Sequence, residues 1–419
     1  MSPEKASDAA VVRRQGFWLF LGTVVNSGLG FVFWFIAYGL FDDATTGTAA
    51  ALISLSSLGT SIATLGLDNG LVRYISKVDR PRRLLAQTAA VNGAVGGLVG
   101  LVLMAVIFTA SQQFNPAALP YLFLVGATLT VSDTWFQLTD SALNAAGRTE
   151  ILAARSVAFG AGKILLLYAV ASLGVLGLLS AYTLPMLAVV LLGFLFSVYV
   201  WPSRNPAGTP HPIREFASLS LGNYFSGMIW FLPQRVAPAL ILLFIGAADV
   251  SYFFLALMLA EVVNYIPESV SKVVFAHGSR RDELSPTLMR TVRLWLIVIV
   301  VPLVLVGVAL SAFGLAFVGH RPEYAAHALA LQLFLLAVIP RMGLQMLKAQ
   351  FNVERRIRAL LLLGVVTGVS TLVLFVGELA LRVPVDALPS AWVAGSTIGL
   401  VVCARVAGWR FAGPRRAPG

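Results

Sequence analysis

Long apolar segments recur along the whole chain, and only short polar stretches separate them. Each apolar segment has about 18 residues or more, the length of helix that crosses a hydrocarbon core of about 30 Å. We predict twelve such spans, at 17–41, 45–66, 84–109, 119–144, 151–171, 175–201, 216–245, 250–272, 288–313, 325–347, 358–380 and 388–405. The pattern therefore predicts an all-α polytopic membrane protein with about twelve transmembrane helices.

The basic residues predict how these spans are oriented. Cytoplasmic loops of membrane proteins carry an excess of Lys and Arg. If the N-terminus is cytoplasmic, only Arg321 and Arg382 of the 30 Lys and Arg residues fall in outside loops. The first outside loop carries Asp42 and Asp43 instead. We therefore expect an N-in/C-in, multi-pass protein of the cell (cytoplasmic) membrane.

Composition excludes several other classes. Hydrophobic residues make up 58% of the chain and charged residues 12%, against about 45–50% and about 25% in soluble domains. The net charge of +11 follows from the basic loops, and because no nucleic-acid motif is present we expect no nucleic-acid partner. Cys403 is the single cysteine, and the four histidines lack the spacing of a metal site. We expect no cofactor and no bound metal.

The chain divides at a proline-rich segment. The stretch 202–215 contains four prolines, which prevents a continuous helix, so it is predicted to be a cytoplasmic linker. It separates an N-terminal six-helix bundle (1–201) from a C-terminal six-helix bundle with a short basic tail (216–419). The halves also resemble each other at 65–76 and 265–276, where an acid precedes a base by four or five residues. Repeats of this kind are common in transporters.

Four segments carry a family resemblance: "IAYGLFDDATTGTAAAL" (36–52), "LGLDNGLVRYIS" (65–76), "GAADVSYFFLAL" (246–257) and "FVGHRPEYAAHALALQ" (317–332). In order and spacing they resemble polysaccharide exporters of the multidrug/oligosaccharidyl-lipid/polysaccharide (MOP) flippase superfamily, the O-antigen-type (Wzx-like) lipid-linked oligosaccharide flippases. Two positions depart from the family pattern. Thr46 stands where an aromatic residue is usual, and Ser251 stands where a glycine is common.

The resemblance implies both a fold and a function. The implied fold is two pseudo-symmetric six-helix bundles around a central cavity that opens alternately to either side. The implied substrate is a polyprenyl-(pyro)phosphate-linked oligosaccharide for polysaccharide biosynthesis. Implied partners are membrane lipids, glycan polymerase or assembly proteins, and a coupling H⁺ or Na⁺.

Apart from the cations at the cytoplasmic membrane ends of the spans, three cations fall inside predicted spans: Lys163, Arg235 and Arg341. An Arg or Lys at the centre of a bilayer costs about 2.5–3.5 kcal/mol on insertion scales, so each needs water or a counter-charge. We interpret all three as substrate-binding cations of the cavity, with an internal ion pair as the alternative for each. Arg235 is the strongest candidate because Pro233 and Pro238 flank it, and these prolines predict a bent helix.

Acidic residues in the spans could serve several purposes. Asp133, Asp140 and Glu261 are available to pair with the cations, to accept a coupling proton or Na⁺, or to contact sugar hydroxyls. At the inner end of span 2, Asp68, Asn69 and Arg73 match the family motif. These three form either an interfacial cap or part of a cytoplasmic gate.

Three functions remain open at the level of sequence. The leading one is a flippase of lipid-linked glycan precursors. The alternative is a MATE-like small-molecule or drug exporter driven by a proton or sodium gradient, which the intramembrane acids favour. A membrane-embedded glycosyltransferase would need catalytic residues on outside loops, where the candidates are His320, Arg321 and Glu323. We therefore predict a transporter rather than an enzyme.

Overall fold

The chain is almost entirely helical. The computed structural model describes residues 3–110, 119–206, 213–279, 286–354 and 356–408, and these residues contain fourteen α-helices and no β-strand. Two 3₁₀ turns lie at Ala171–Leu173 and Pro322–His327. The α-helices, in chain order, are α1 (Pro3–Leu40), α2 (Asp43–Ala63), α3 (Leu67–Tyr74), α4 (Pro81–Ala110), α5 (Leu119–Ala145), α6 (Thr149–Ala169), α7 (Gly174–Val200), α8 (Ile213–Phe244), α9 (Ala247–Ser279), α10 (Pro286–Ala309), α11 (Ser311–Gly319), α12 (Ala328–Val353), α13 (Ile357–Ala380) and α14 (Ser390–Val406).

Eleven of the twelve predicted spans each match one of these helices, and the span 288–313 covers α10 and runs on into α11. In the described part of the chain, nine helical segments are long and apolar enough to cross a membrane. Three further helices match predicted spans without meeting that criterion. Helix α14 is a shorter apolar helix of 17 residues, while α2 is rich in Ser, Thr and Gly and α5 carries Asp133 and Asp140. The predicted class, an all-α polytopic membrane protein, is confirmed.

Two short helices were not predicted as separate elements. Helix α3 follows α2 through Leu65 and Gly66, which both have positive φ angles of 48° and 70° and so end α2. Leu71 and Ile75, in α3 and just after it, are buried against α4, α5 and Trp201. Helix α11 begins after a break at Leu310, where the Ser311 hydroxyl donates to the Val308 carbonyl and accepts from Gln332. Such local side-chain bonds compete with a continuous helix.

The chain forms two compact units. The first contains Met1–Tyr224 and Pro238–Ser251, and the second contains Phe225–Ala237 and Tyr252–Gly419. In the first unit α1 packs along α6, and α5 packs against both α4 and α7. In the second unit α14 packs against α12 and α13, and α10 packs against α12.

Glycines set the closest helix contacts within each unit. In the first unit a side chain at Gly47 would overlap the Ala247 carbonyl oxygen, so only glycine lets the start of α2 approach the start of α9. Thr46 and Ser251, the two departures from the family pattern, meet there at 3.4 Å between hydroxyl oxygens. In the second unit side chains at Gly395 and Gly399 would overlap the hydroxyls of α13 (Thr371 and Thr367). This small-xxx-small spacing is typical of tightly packed membrane helices.

Candidate functional site

Helix α6 carries two cations that are almost completely buried in the first unit. Arg155 is 3% exposed and Lys163 is 4% exposed. They are eight residues apart, about 12 Å along the helix axis. The protein accommodates the two charges in different ways, and the difference defines the candidate site.

Aromatic rings surround the Lys163 ammonium. Its Nζ lies 4.7 Å from the centroid of Phe159 on α6, 5.2 Å from that of Phe33 on α1 and 5.3 Å from that of Tyr182 on α7. The Tyr182 ring makes edge contacts with both phenylalanines, at 5.9 Å to Phe33 and 5.4 Å to Phe159. The rings therefore brace one another around the ammonium. We call Phe33, Phe159 and Tyr182 the aromatic cage.

No carboxylate lies within ion-pair distance of Lys163 Nζ in the described part of the chain. The charge is stabilised by the negative faces of the three rings, an interaction worth about 2 kcal/mol or more when it is desolvated. Glycine allows this arrangement because a side chain at Gly160 would clash with Leu29, which holds α1 against α6. The aromatic cage thus holds a buried cation, and the role of Lys163 in binding substrate stays a prediction.

The second cation of α6, Arg155, is paired. Its Nη1 donates to Asp140 Oδ1 at 2.7 Å, and its Nη2 donates to Thr139 Oγ1 at 2.9 Å. The guanidinium also lies 4.8 Å from the Phe136 ring centroid. A side chain at Gly193 on α7 would come within 2.8 Å of Arg155 Cζ, so glycine makes room for the charge. Of the alternatives for Asp140, the counter-charge role fits this geometry.

Arg155 was not among the predicted site residues. It lies four residues into a predicted span and was counted with the basic membrane ends. Asp140, on the preceding span, was the available signal, because an acid inside a predicted span needs a cation or water beside it. The other acid of α5, Asp133, is half-buried two helical turns before Asp140.

In the second unit another cation is paired with an acid. Arg341 on α12 is 7% exposed, and its Nη1 donates to Glu261 Oε1 on α9 at 2.6 Å. The other carboxylate oxygen accepts a hydrogen bond from Asn264 Nδ2 at 3.0 Å. Of the alternatives left open for Arg341 and Glu261, the structure favours the internal ion pair.

Arg235 lies on α8, half-buried, with its guanidinium 5.6 Å from the ring centroid of Phe231 one turn earlier. Helix α8 continues through both Pro233 and Pro238. The bend predicted at these two prolines stays a prediction, as does a role for Arg235 in binding substrate.

The predicted gate residues lie on α3. Asp68 is half-buried in the first turn of this helix. The side chains of Asn69 and Arg73 lie outside the described part of the structure. Their assignment to a cytoplasmic gate therefore remains a prediction.

Comparison with known proteins gives the fold a context. No family model matches the chain, and no curated protein matches it in sequence. Among solved structures, the lipid II flippase MurJ in an inward closed conformation is similar with a TM-score of 0.74 and 11% identity, over 93% of this chain and 87% of that chain. A MATE protein in complex with MaL6 is similar with a TM-score of 0.63 and 14% identity, over 95% and 94% of the two chains.

A third similar structure is a MOP superfamily transporter from Pyrococcus furiosus whose binding pocket has reverse polarity. Its TM-score is 0.62 and its identity 14%, over 95% of this chain and 94% of that chain. All three are transporters or flippases rather than enzymes. At these identities the likeness concerns the fold. The chain is a multi-pass membrane protein with the fold of MOP superfamily transporters.

Proposed function

We propose that the protein translocates an amphiphile with an anionic, phosphate-containing headgroup across the cytoplasmic membrane. The substrate class that fits best is a polyprenyl-(pyro)phosphate-linked oligosaccharide or a similar cell-envelope glycan precursor. Transport would proceed by alternating access. The observation that carries this proposal is the buried Lys163 ammonium, which aromatic rings hold and no carboxylate neutralises in the described residues.

The two paired arginines within the membrane differ from Lys163 in their net charge. Arg155 with Asp140, and Arg341 with Glu261, each form a close ion pair with no net charge. Lys163 therefore adds positive charge that an anionic group can neutralise. A phosphate oxygen accepts charge-assisted hydrogen bonds from an ammonium, and these are about twice as strong as neutral ones. The fold likeness to a lipid II flippase supports the same class of substrate.

A MATE-like exporter of small organic cations is the second candidate. Three converging aromatic rings are the usual recognition site for an alkylammonium group. The cage would accept an external organic cation if the Lys163 side chain left it. The fold likeness to MATE transporters supports this alternative, and Asp133 supplies an acid for ion coupling.

One substitution separates the two candidates. Lys163→Met removes the charge and keeps the length of the side chain, while Lys163→Arg keeps the charge. Purified variants in proteoliposomes are assayed with a fluorescent polyprenyl-pyrophosphate oligosaccharide and, separately, with a fluorescent organic cation. Lys272→Met is the matched control because this lysine is 69% exposed and paired with Glu268.

The flippase proposal expects Lys163→Met to reduce lipid flipping about 10- to 100-fold, corresponding to one charged hydrogen bond of about 1.5–3 kcal/mol. Lys163→Arg should retain part of the activity, and Lys272→Met should match the wild type. Flipping by Lys163→Met within twofold of the wild type contradicts the proposal. If the wild type transports only the fluorescent organic cation, and Lys163→Met transports it faster, the protein is a MATE-like exporter and the flippase proposal is wrong.

A further inference from the structure

A cavity of about 550 Å³ opens in the second unit between the start of α13 and the end of α14. It is separate from the buried ion pairs and from the residues proposed to bind the transported substrate. Six residues line it: Arg356, Ile357, Arg358, Ala359, Leu362 and Val406. In the orientation that the basic loops predict, this end of both helices lies at the cytoplasmic surface of the membrane.

The cavity has a cationic part and an apolar part. Arg356 and Arg358 lie at the beginning of α13 and are both exposed. The apolar part includes Ile357 and Val406, which are 56% and 40% exposed. Leu362 lies five residues after Ile357 along α13, about 7.5 Å deeper into the membrane. A ligand that fills the cavity therefore needs an anionic end at the surface and an apolar end in the bilayer.

Arg356 is held in place at the wall of the cavity. Its Nη2 donates to the Val406 carbonyl at 3.1 Å, and its guanidinium lies 5.3 Å from the Phe351 ring centroid. Its contact with Glu354 is single and long, at 3.4 Å between Nη1 and Oε2. These contacts fix one guanidinium without neutralising it fully.

Arg358 is the second cation, and in the described part of the chain it has no ion pair or hydrogen bond. The first turn of α13 also lacks a side-chain cap at Arg356 among the described residues. The first backbone N–H groups of any helix have no intrahelical acceptor, and without a side-chain cap they favour an anion at this position. Both guanidinium groups line the same cavity, and guanidinium groups bind phosphate oxygens through charge-assisted hydrogen bonds.

We propose that this cavity binds an anionic phospholipid of the membrane. The lipid phosphate lies between Arg356 and Arg358, and the start of an acyl chain lies along Ile357, Leu362 and Val406. Basic pockets between transmembrane helices on the cytoplasmic side are suited to anionic lipid headgroups. The site holds a resident lipid and is independent of the transported substrate.

The test measures lipid retention by the purified full chain. Protein in detergent is incubated with phosphatidylglycerol or phosphatidylcholine, and bound lipids are counted by native mass spectrometry. Arg358→Ala is compared with Arg290→Ala, which removes another exposed arginine, at the start of α10, that has no ion pair or hydrogen bond among the described residues. Leu362→Trp keeps both arginines and fills the cavity, and size-exclusion elution checks that each variant is folded.

The wild type should retain one phosphatidylglycerol per chain and much less phosphatidylcholine. Arg358→Ala and Leu362→Trp should each lower phosphatidylglycerol retention about fivefold to tenfold, while Arg290→Ala should match the wild type. Equal loss in Arg290→Ala, or full retention in Leu362→Trp, means diffuse charge attraction and overturns the proposal. Displacement of the lipid by equimolar inorganic phosphate also overturns it, because the ligand would then be a phosphate anion. These outcomes do not depend on transport activity.

Discussion

Lys163 in the first unit and Arg341 in the second are similarly buried cations on membrane-spanning helices, yet their surroundings differ. Arg341 is neutralised by Glu261 at 2.6 Å, whereas Lys163 is surrounded by three aromatic rings. An ion pair is locally neutral, and losing one partner leaves the other buried and unpaired. An ammonium held by rings keeps its net charge, and its loss leaves no unpaired partner. Burial of a charge alone therefore does not distinguish a structural cation from one available to a ligand.

The largest effect is expected from breaking the pair in the second unit. Arg341→Met should lower the free energy of unfolding by up to about 3–5 kcal/mol, because the Glu261 carboxylate, only 16% exposed, loses its cation. Thermal unfolding in detergent measures this as a lower Tm. The double variant Arg341→Met/Glu261→Gln should recover most of the loss. If the double variant is as unstable as the single one, the pair is not the source of the effect.

A smaller loss of stability should come from Gly193→Ala in the first unit. This substitution leaves the charges of the Arg155–Asp140 pair unchanged but fills the space that the Arg155 guanidinium occupies. The new methyl group would lie 2.8 Å from Arg155 Cζ and must displace the guanidinium from Asp140 and Thr139. We expect a loss of about 1–3 kcal/mol in unfolding free energy. The control is Gly377→Ala on α13, where a Cβ meets nothing within 4 Å and helix propensity favours Ala by up to about 1 kcal/mol. Equal Tm shifts in the two variants would contradict this account.

The smallest effect on stability is expected at Lys163 itself. Lys163→Met removes a cation–π interaction of about 2 kcal/mol or more and also removes the cost of burying an ammonium. These two terms oppose each other, so Tm should change little, by the equivalent of about 1 kcal/mol or less. A loss as large as that of Arg341→Met would mean that Lys163 has a buried counter-charge, and would remove the distinction between the two regions.

The sequence was sufficient for the fold class because apolar length is a local property. All twelve predicted spans fall on helices. The break at Leu65 and Gly66 was missed because left-handed backbone at a leucine has no composition signal. Arg155 was missed for a different reason: its partner is on another helix, and pairing depends on which helix faces it.

The candidate site depended still more on tertiary contacts. Phe33, one ring of the aromatic cage, was not among the predicted site residues. Its contact with Lys163 follows from the packing of α1 on α6, which Gly160 permits. A lysine surrounded by aromatic rings and a lysine paired with an acid look the same in the sequence, and only the packing of the helices distinguishes them.

The aromatic cage has a consequence for selectivity. Lys163 is covalently attached beside the rings, so its ammonium occupies the cage at an effective concentration of about millimolar or higher. A free organic cation would have to compete with this tethered group, and its apparent affinity would fall accordingly. Under the proposed function, the tethered ammonium keeps free cations out of the aromatic cage without any contact to the anionic substrate. Selectivity obtained by rejecting the wrong partner needs no tight binding of the right one, and weak binding lets a transporter release its substrate.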